Sequence, residues 1–340
     1  MGAQSRFIVV GENIHCTLVY KVGGAFVRAP EGQGAVIRYT DGGREHTVPV
    51  PRRFTESEEW SRGNLKHAAA AIWQGMHGGA AEAEAAKAYI GYLARKQEEA
   101  GASFLDLNVD EFSPDVQERL SALRWVAGVV QGASSLPLSI DSSNMRLLDE
   151  GLAACDPSRG KPMLNSVSLE RLEAVELARR RKAVVLAGAS GAQSMPRTPE
   201  ERQANLRELM QSLRRAGFAL SDVYLDPLVF PVSVDPSNGL NVLKSIAALR
   251  NEYGREIHFA PGLSNISFGM PNRKLLNQVF AWLCREEGMD GAIANPLHIN
   301  GEILDRLDTT SEQFRLARAV LVAEDQFGMS YIEAARAGRI

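Results

Sequence analysis

Apolar, β-branched runs of five to eight residues recur along the chain, and most are followed by a stretch whose apolar residues fall at helical spacing. The runs occupy residues 7–14 (FIVVGENI), 104–109 (FLDLNV), 136–141 (LPLSID), 163–167 (MLNSV), 183–187 (AVVLA), 223–228 (VYLDPL), 257–263 (IHFAPGL) and 292–297 (AIANPL). From the second onward they lie roughly 20 to 40 residues apart, the length of one strand–helix unit. Between them, residues 114–130 place Leu120, Leu123, Val126 and Val130 on one helical face. Residues 198–216 open with Thr-Pro-Glu-Glu, a helix cap with proline in the first turn and acid behind it. Residues 80–99 and 271–287 read as further helices. Strands apolar along their whole length, alternating with helices, predict a parallel sheet covered on its faces. Eight such units predict a closed (β/α)8 barrel of the TIM type over an open doubly wound sheet. No G-x-G-x-x-G follows the first run, which weakens the dinucleotide-binding alternative further.

One segment breaks the rhythm. Residues 16–60 separate the first strand from its helix, far more than the two to six residues usual for such a loop. Within it AFVRAP, AVIRYT and HTVPVP read as short strands, with Thr40-Asp41-Gly42-Gly43 as a hairpin turn. The expectation is one barrel domain over residues 1–340, with a β-rich insertion at 16–60 on the catalytic face and a helical extension at 311–340.

Composition removes several classes of function. Of 340 residues, 45% are hydrophobic and 23% charged, the balance of a globular chain with a sizeable core. The formal net charge of −3 argues against a nucleic-acid binder, which would carry a basic excess. No apolar run approaches the ~18 residues of a membrane span, and the start MGAQSRFIVVGEN lacks the shape of a signal peptide. A cytoplasmic protein is expected. The three cysteines, Cys16, Cys155 and Cys284, are too scattered for a disulfide framework or a zinc knuckle.

The unusual polar residues fall where strands end: Asp106 and Asn108 in LDLNVD, Asp141 in LSID, Asn165 in MLN, Asp226 in YLD and Asn265 in GLSN. In a parallel barrel those ends open on one face, where enzymes of this fold work. Each residue alone could cap the following helix or fix a turn. Together they deliver carboxylates and carboxamides to one mouth, and burying such groups costs several kcal/mol unless each has a partner. Acceptors without a Gly-rich phosphate cradle, a nucleophile elbow or paired histidines at metal spacing suit a flat heterocycle with an amino-pyrimidinone edge. A carboxylate can accept two parallel N–H bonds from such an edge.

The succession GENI, LDLNV, SIDSSN, LNSVS, DPL and GLSNISFG resembles the pterin-binding barrel family. Within it, the chain resembles the methyltetrahydrofolate:corrinoid methyltransferases and the folate domain of cobalamin-dependent methionine synthase. The resemblance runs from about residue 7 to 297, skipping the insertion, and GLSNISFGMPNRKLLN is its most specific segment. It implies that Asp141, Asn165 and Asp226 hold the pterin and that Asn265 approaches N5, with Asn265 and Asp141 as the catalytic pair. It also implies tetrahydrofolate or 5-methyltetrahydrofolate as substrate, a cobalamin carried on a corrinoid partner protein, a homodimer, and no metal bound by this chain. The dihydropteroate synthase branch is the alternative enzyme, but its N-x-T-P-D-S-F-S-D and STRPG signatures and its late S-R-K stretch are missing. A folate-binding subunit without catalysis is the non-enzymatic alternative.

Two departures stand out. Where the family commonly reads G-E-R-x-N, this chain reads Gly11-Glu12-Asn13-Ile14-His15. His15 either takes over a polar contact at the barrel mouth or is a satisfied histidine at a strand end. The insertion at 16–60 either covers the pterin, shapes the partner's dock or packs on the rim. Asp106 and Asn108 either organise the barrel floor or border the ligand. Ser264 and Arg273 flank Asn265 as secondary candidates, Arg273, like Arg197, for the glutamate tail of a folate.

Overall fold

The computed structural model describes residues 7–30 and 34–340; the expectation of no signal peptide, for residues 1–6, and residues 31–33 of the insertion lie outside these. Eight parallel strands make one sheet: β1 (Ile8–His15), β2 (Phe104–Asn108), β3 (Leu138–Asp141), β4 (Met163–Val167), β5 (Val184–Gly188), β6 (Val223–Asp226), β7 (His258–Phe259) and β8 (Gly291–Ala294). Their order is β7-β6-β5-β4-β3-β2-β1-β8, so each strand lies beside its neighbour in sequence and β8 beside β1. A parallel bridge from Gly262 to Ile293 joins the end of β7 to β8. The result is a nearly closed (β/α)8 barrel, as the alternation of elements predicts. All five residues of β5 are buried, as are all four of β6 and of β8, because the sheet is covered on both faces.

Strand boundaries shift where backbone chemistry dictates. The seventh run is apolar over 257–263, yet β7 stops at Phe259: Pro261 has no N–H to donate, and residues Leu263–Ser267 wind into a 3-10 turn. The helices lie close to their expected spans, at Ala80–Glu99, Val116–Ala133, Pro199–Arg215 and Arg273–Glu286. Thr198 closes a capping box, its hydroxyl accepting from the N–H of Glu201 while the Glu201 side chain accepts from the N–H of Thr198.

By packing, the chain divides into two compact units: Met1–Val10 with Ala100–Ser103 and Leu164–Ile340, and Gly11–Glu99 with Phe104–Met163. The second contains β2, β3 and the insertion. There Val36–Asp41 pairs antiparallel with Arg44–Pro49 around Gly42 and Gly43, both at positive φ, the conformation a two-residue hairpin turn demands. Val27–Arg28 adds a third strand. The hairpin packs on helix Ala80–Glu99, where Tyr39 meets Tyr89 and Tyr92 at 5.0 and 4.7 Å between ring centroids and Arg95 donates to Asp41 at 2.8 Å. Val19–Lys21 pairs with Asn64–Lys66, a pairing not expected from sequence, and helix His67–His77 follows. The first unit contains β4–β8 and the C-terminal segment, which forms two helices, Glu312–Leu321 and Met329–Arg336.

Candidate active site

In the unit that carries β2 and β3, polar residues of β1, β2 and β3 cluster; His15, Asn108 and Asp141 end their strands, whereas Asp106, expected at a strand end, lies in the middle of β2. Gly11 is required by close approach: a Cβ there would lie 2.5 Å from Oε1 of the fully buried Gln97, whose amide oxygen accepts the Asn13 N–H at 3.0 Å. That seating lets the last residue of β1, His15, turn a buried imidazole onto β2. Its Nε2 lies 2.9 Å from Oδ2 of the fully buried Asp106. Burial disfavours the charged ring, but the Asp106 hydrogen bond and the negative charges of Asp106, Asp141 and Glu12 outweigh it and raise His15 to about 9. His15 is therefore an imidazolium at neutral pH.

Two residues along β2, Asn108 donates from Nδ2 to Oδ2 of Asp141 at 2.8 Å and accepts the Asp110 N–H at 3.0 Å. Asp110 is held in turn by the hydroxyls of Ser142 and Ser143 at 2.5 and 2.9 Å. Asn144 caps helix Met145–Ala153, so within SIDSSN the aspartate alone is left at the strand end. Burial, reinforced by the charge of Asp106, raises Asp141 to about 7, while His15 and Asn108 pull it down.

In the other unit, Asn165 on β4 is buried, and Ser166 is fixed by the Arg171 guanidinium, which donates to its carbonyl and hydroxyl oxygens, both at 3.2 Å. Asp226 ends β6, also buried, and its Oδ1 accepts the N–H of Leu228 at 2.8 Å. Leu228 itself sits at φ 60°, a left-handed conformation that leucine rarely adopts. Burial raises Asp226 to about 6, against the N–H groups of Leu228 and Gly262 and the charge of Arg202. Asn265 projects from the Leu263–Ser267 turn with its side chain exposed. Arg273 lies against that turn, donating to the carbonyl of Ser264 at 2.9 Å and the hydroxyl of Ser267 at 3.1 Å, with its guanidinium over Phe268.

The structure thus gathers His15, Asp106, Asn108 and Asp141, and in the other unit sets Asp226 at a strand end, Ser264 and Asn265 beyond one, and Asn165, expected at a strand end, in the middle of β4. His15, Asp106 and Asp141 offer ligand atoms within 4.8 Å of one another. A cation there would have to take the Nε2 that already engages Asp106. Sequence reasoning passed over Arg202, which is fully buried. Its signal was present: Arg202, Leu206, Leu209 and Leu213 share one helical stripe, and the three leucines face the core.

The family described as pterin binding enzyme matches residues 80–295. A methylcorrinoid:tetrahydrofolate methyltransferase of Eubacterium limosum is 30% identical over 261 residues, 75% of this chain and 89% of the relative. The methionine synthase of Mycobacterium leprae is 29% identical over 218 residues, 60% of this chain but 18% of that much longer protein. Among solved structures, dihydropteroate synthase from Stenotrophomonas maltophilia superposes with a TM-score of 0.52 at 19% identity, covering 70% of this chain and 88% of that one. At that identity the likeness shows the fold alone, whereas the sequence relatives are methyltransferases. This chain is a member of the pterin-binding enzyme family.

Proposed function

We propose that this protein moves a methyl group between N5 of a tetrahydrofolate and a cobalamin carried on a corrinoid partner protein. The observation that carries the reading is the buried strand-end carboxylate of Asp226, held by the N–H of Leu228, in a chain that matches most of the length of a methylcorrinoid:tetrahydrofolate methyltransferase. A buried carboxylate held this way accepts N–H bonds from an amino-pyrimidinone edge, and the carboxamide of Asn165 adds a group that both donates and accepts. Asp141 is assigned to the pterin as well.

The chemical difficulty is the leaving group. When the methyl–N5 bond breaks, its electron pair stays on N5, and a tertiary amine leaves poorly unless that nitrogen is protonated. The amide oxygen of Asn265 can accept the N–H of a protonated N5, a contact that the unprotonated ground state does not offer, so it favours the form from which the methyl group leaves. Asp141, raised to about 7, exchanges a proton near neutrality and suits the acid–base role. The cobalamin, when present, supplies the electron pair that takes the methyl carbon in line. Exposed apolar side chains in the loops after β5, β6, β7 and β8, namely Met195, Val234, Phe268 and Leu297, support a docking face for the partner. A homodimer belongs to the same reading.

The test is methyl transfer from 5-methyltetrahydrofolate to free cob(I)alamin by the purified chain, followed by the absorbance change of the corrinoid. Turnover is expected without any partner. Asn265→Ala should slow the step by the equivalent of ~2–4 kcal/mol, as for loss of one transition-state donor, with little change in folate affinity. Unchanged turnover in that variant removes Asn265 from the mechanism, and no turnover in the parent chain removes the reading.

A further inference from the structure

We propose that Arg202 is a positioning residue for Asp226, locking the loop after β5 to the loop after β6 so that the carboxylate keeps one direction. The functional consequence rests on the pterin reading above; the positioning itself does not. Arg202 is fully buried on helix Pro199–Arg215 and spends its donors on main-chain oxygens. Nε donates to the carbonyls of Pro227 and Leu228 at 3.0 and 3.4 Å, and Nη1 to those of Arg197 and Thr198 at 3.0 and 3.2 Å. Pro227 and Leu228 directly follow Asp226, and Arg197 and Thr198 close the loop that follows β5. One planar fork therefore grips two adjacent loops, which the point charge of a lysine cannot reproduce.

The grip falls where the backbone needs it. Leu228 gives its N–H to Asp226 and sits at φ 60°, and its carbonyl is one of the oxygens that Arg202 holds. Conformations of this kind persist only where surrounding contacts over-determine them. The Phe230 ring lies 5.2 Å from the guanidinium carbon and closes one face. Buried Nη2 has no hydrogen-bond acceptor among the described residues, so no carboxylate neutralises the guanidinium directly. Its charge is felt by the acidic groups around it, Glu201, Asp226 and Asp235. Of these, Glu201 and Asp235 are exposed, which leaves Asp226 as the buried acid that the guanidinium field acts on.

The experiment follows the Asp226 carboxyl by 13C NMR in ligand-free protein, assigned by its disappearance in Asp226→Asn, alongside titration with 5-methyltetrahydrofolate. Arg202→Lys keeps the charge and loses the fork. It should leave the Asp226 titration near its parent position but weaken folate binding by on the order of tenfold, as loss of an orienting partner does. Arg202→Gln loses both and should move the Asp226 titration upward and weaken binding further. A merely structural Arg202 would lower the melting temperature while leaving the Asp226 titration and the affinity of the folded protein unchanged, and that result overturns the proposal. Should Arg202→Gln not fold, Arg202→Lys decides: binding equal to the parent overturns the positioning role. If the parent itself binds no folate, an upward shift of the Asp226 titration in Arg202→Gln upholds the positioning role, and an unchanged one rejects it. The pterin reading then falls separately.

Discussion

His15 shows how one residue changes the character of a strand end. An asparagine at that place, as the resembling family commonly has, would give Asp106 a neutral partner; the histidine gives it a charged one at 2.9 Å. The consequence for pH has a definite sign. His15 is raised from an ordinary 6.5 to about 9, so the stability contributed by the pair is fully present below about 6.5 and is lost as pH rises through about 9. In His15→Asn, the fall in melting temperature of the parent between these values should flatten, which calorimetric scans across that range would show. Equal pH profiles for the two proteins would mean that the ring is neutral in the fold. Asp226 predicts the opposite sense for ligand binding. Raised to about 6 by burial, it takes a proton as pH falls through that value, and a protonated carboxyl accepts N–H bonds poorly. Folate affinity should therefore drop below about pH 6 in the parent, and the drop should vanish in Asp226→Asn, whose affinity is low throughout.

At the scale of elements, what the sequence made legible followed from periodicity and backbone chemistry. The eight strands could be read because burial on both faces gives each a short, mainly apolar run. Helix Pro199–Arg215 could be read from its cap, and Thr198→Ala should lower stability by about 1 kcal/mol in urea unfolding. A value near zero would mean that the Arg202 contacts alone hold that helix start. Short pairings were harder. Val19–Lys21 and Asn64–Lys66 are three-residue strands far apart in sequence, and nothing local fixes their register. Candidate site residues were legible because a carboxylate or carboxamide at the end of an apolar run is conspicuous. Arg202 shares the leucine stripe of its helix but was passed over, because an arginine in a helix is normally read as surface, and the carbonyls that accept from it are brought together only by the folded loops.

At the scale of the molecule, barrel architecture and family membership come from independent sources: the strand order of the sheet and the match of residues 80–295 to pterin-binding enzymes. Neither fixes which reaction a barrel performs, since the fold hosts many chemistries at its strand ends. The central claim is narrower, that this chain holds a pterin through its buried strand-end carboxylates. Calorimetric titration of the purified protein with 5-methyltetrahydrofolate, with tetrahydrofolate and a tail-less pterin in parallel, tests it most directly. Micromolar binding of all three pterins is expected, lost in Asp226→Ala and weakened in Asp141→Ala. Absence of binding by all three ligands, or binding indifferent to both substitutions, would contradict it.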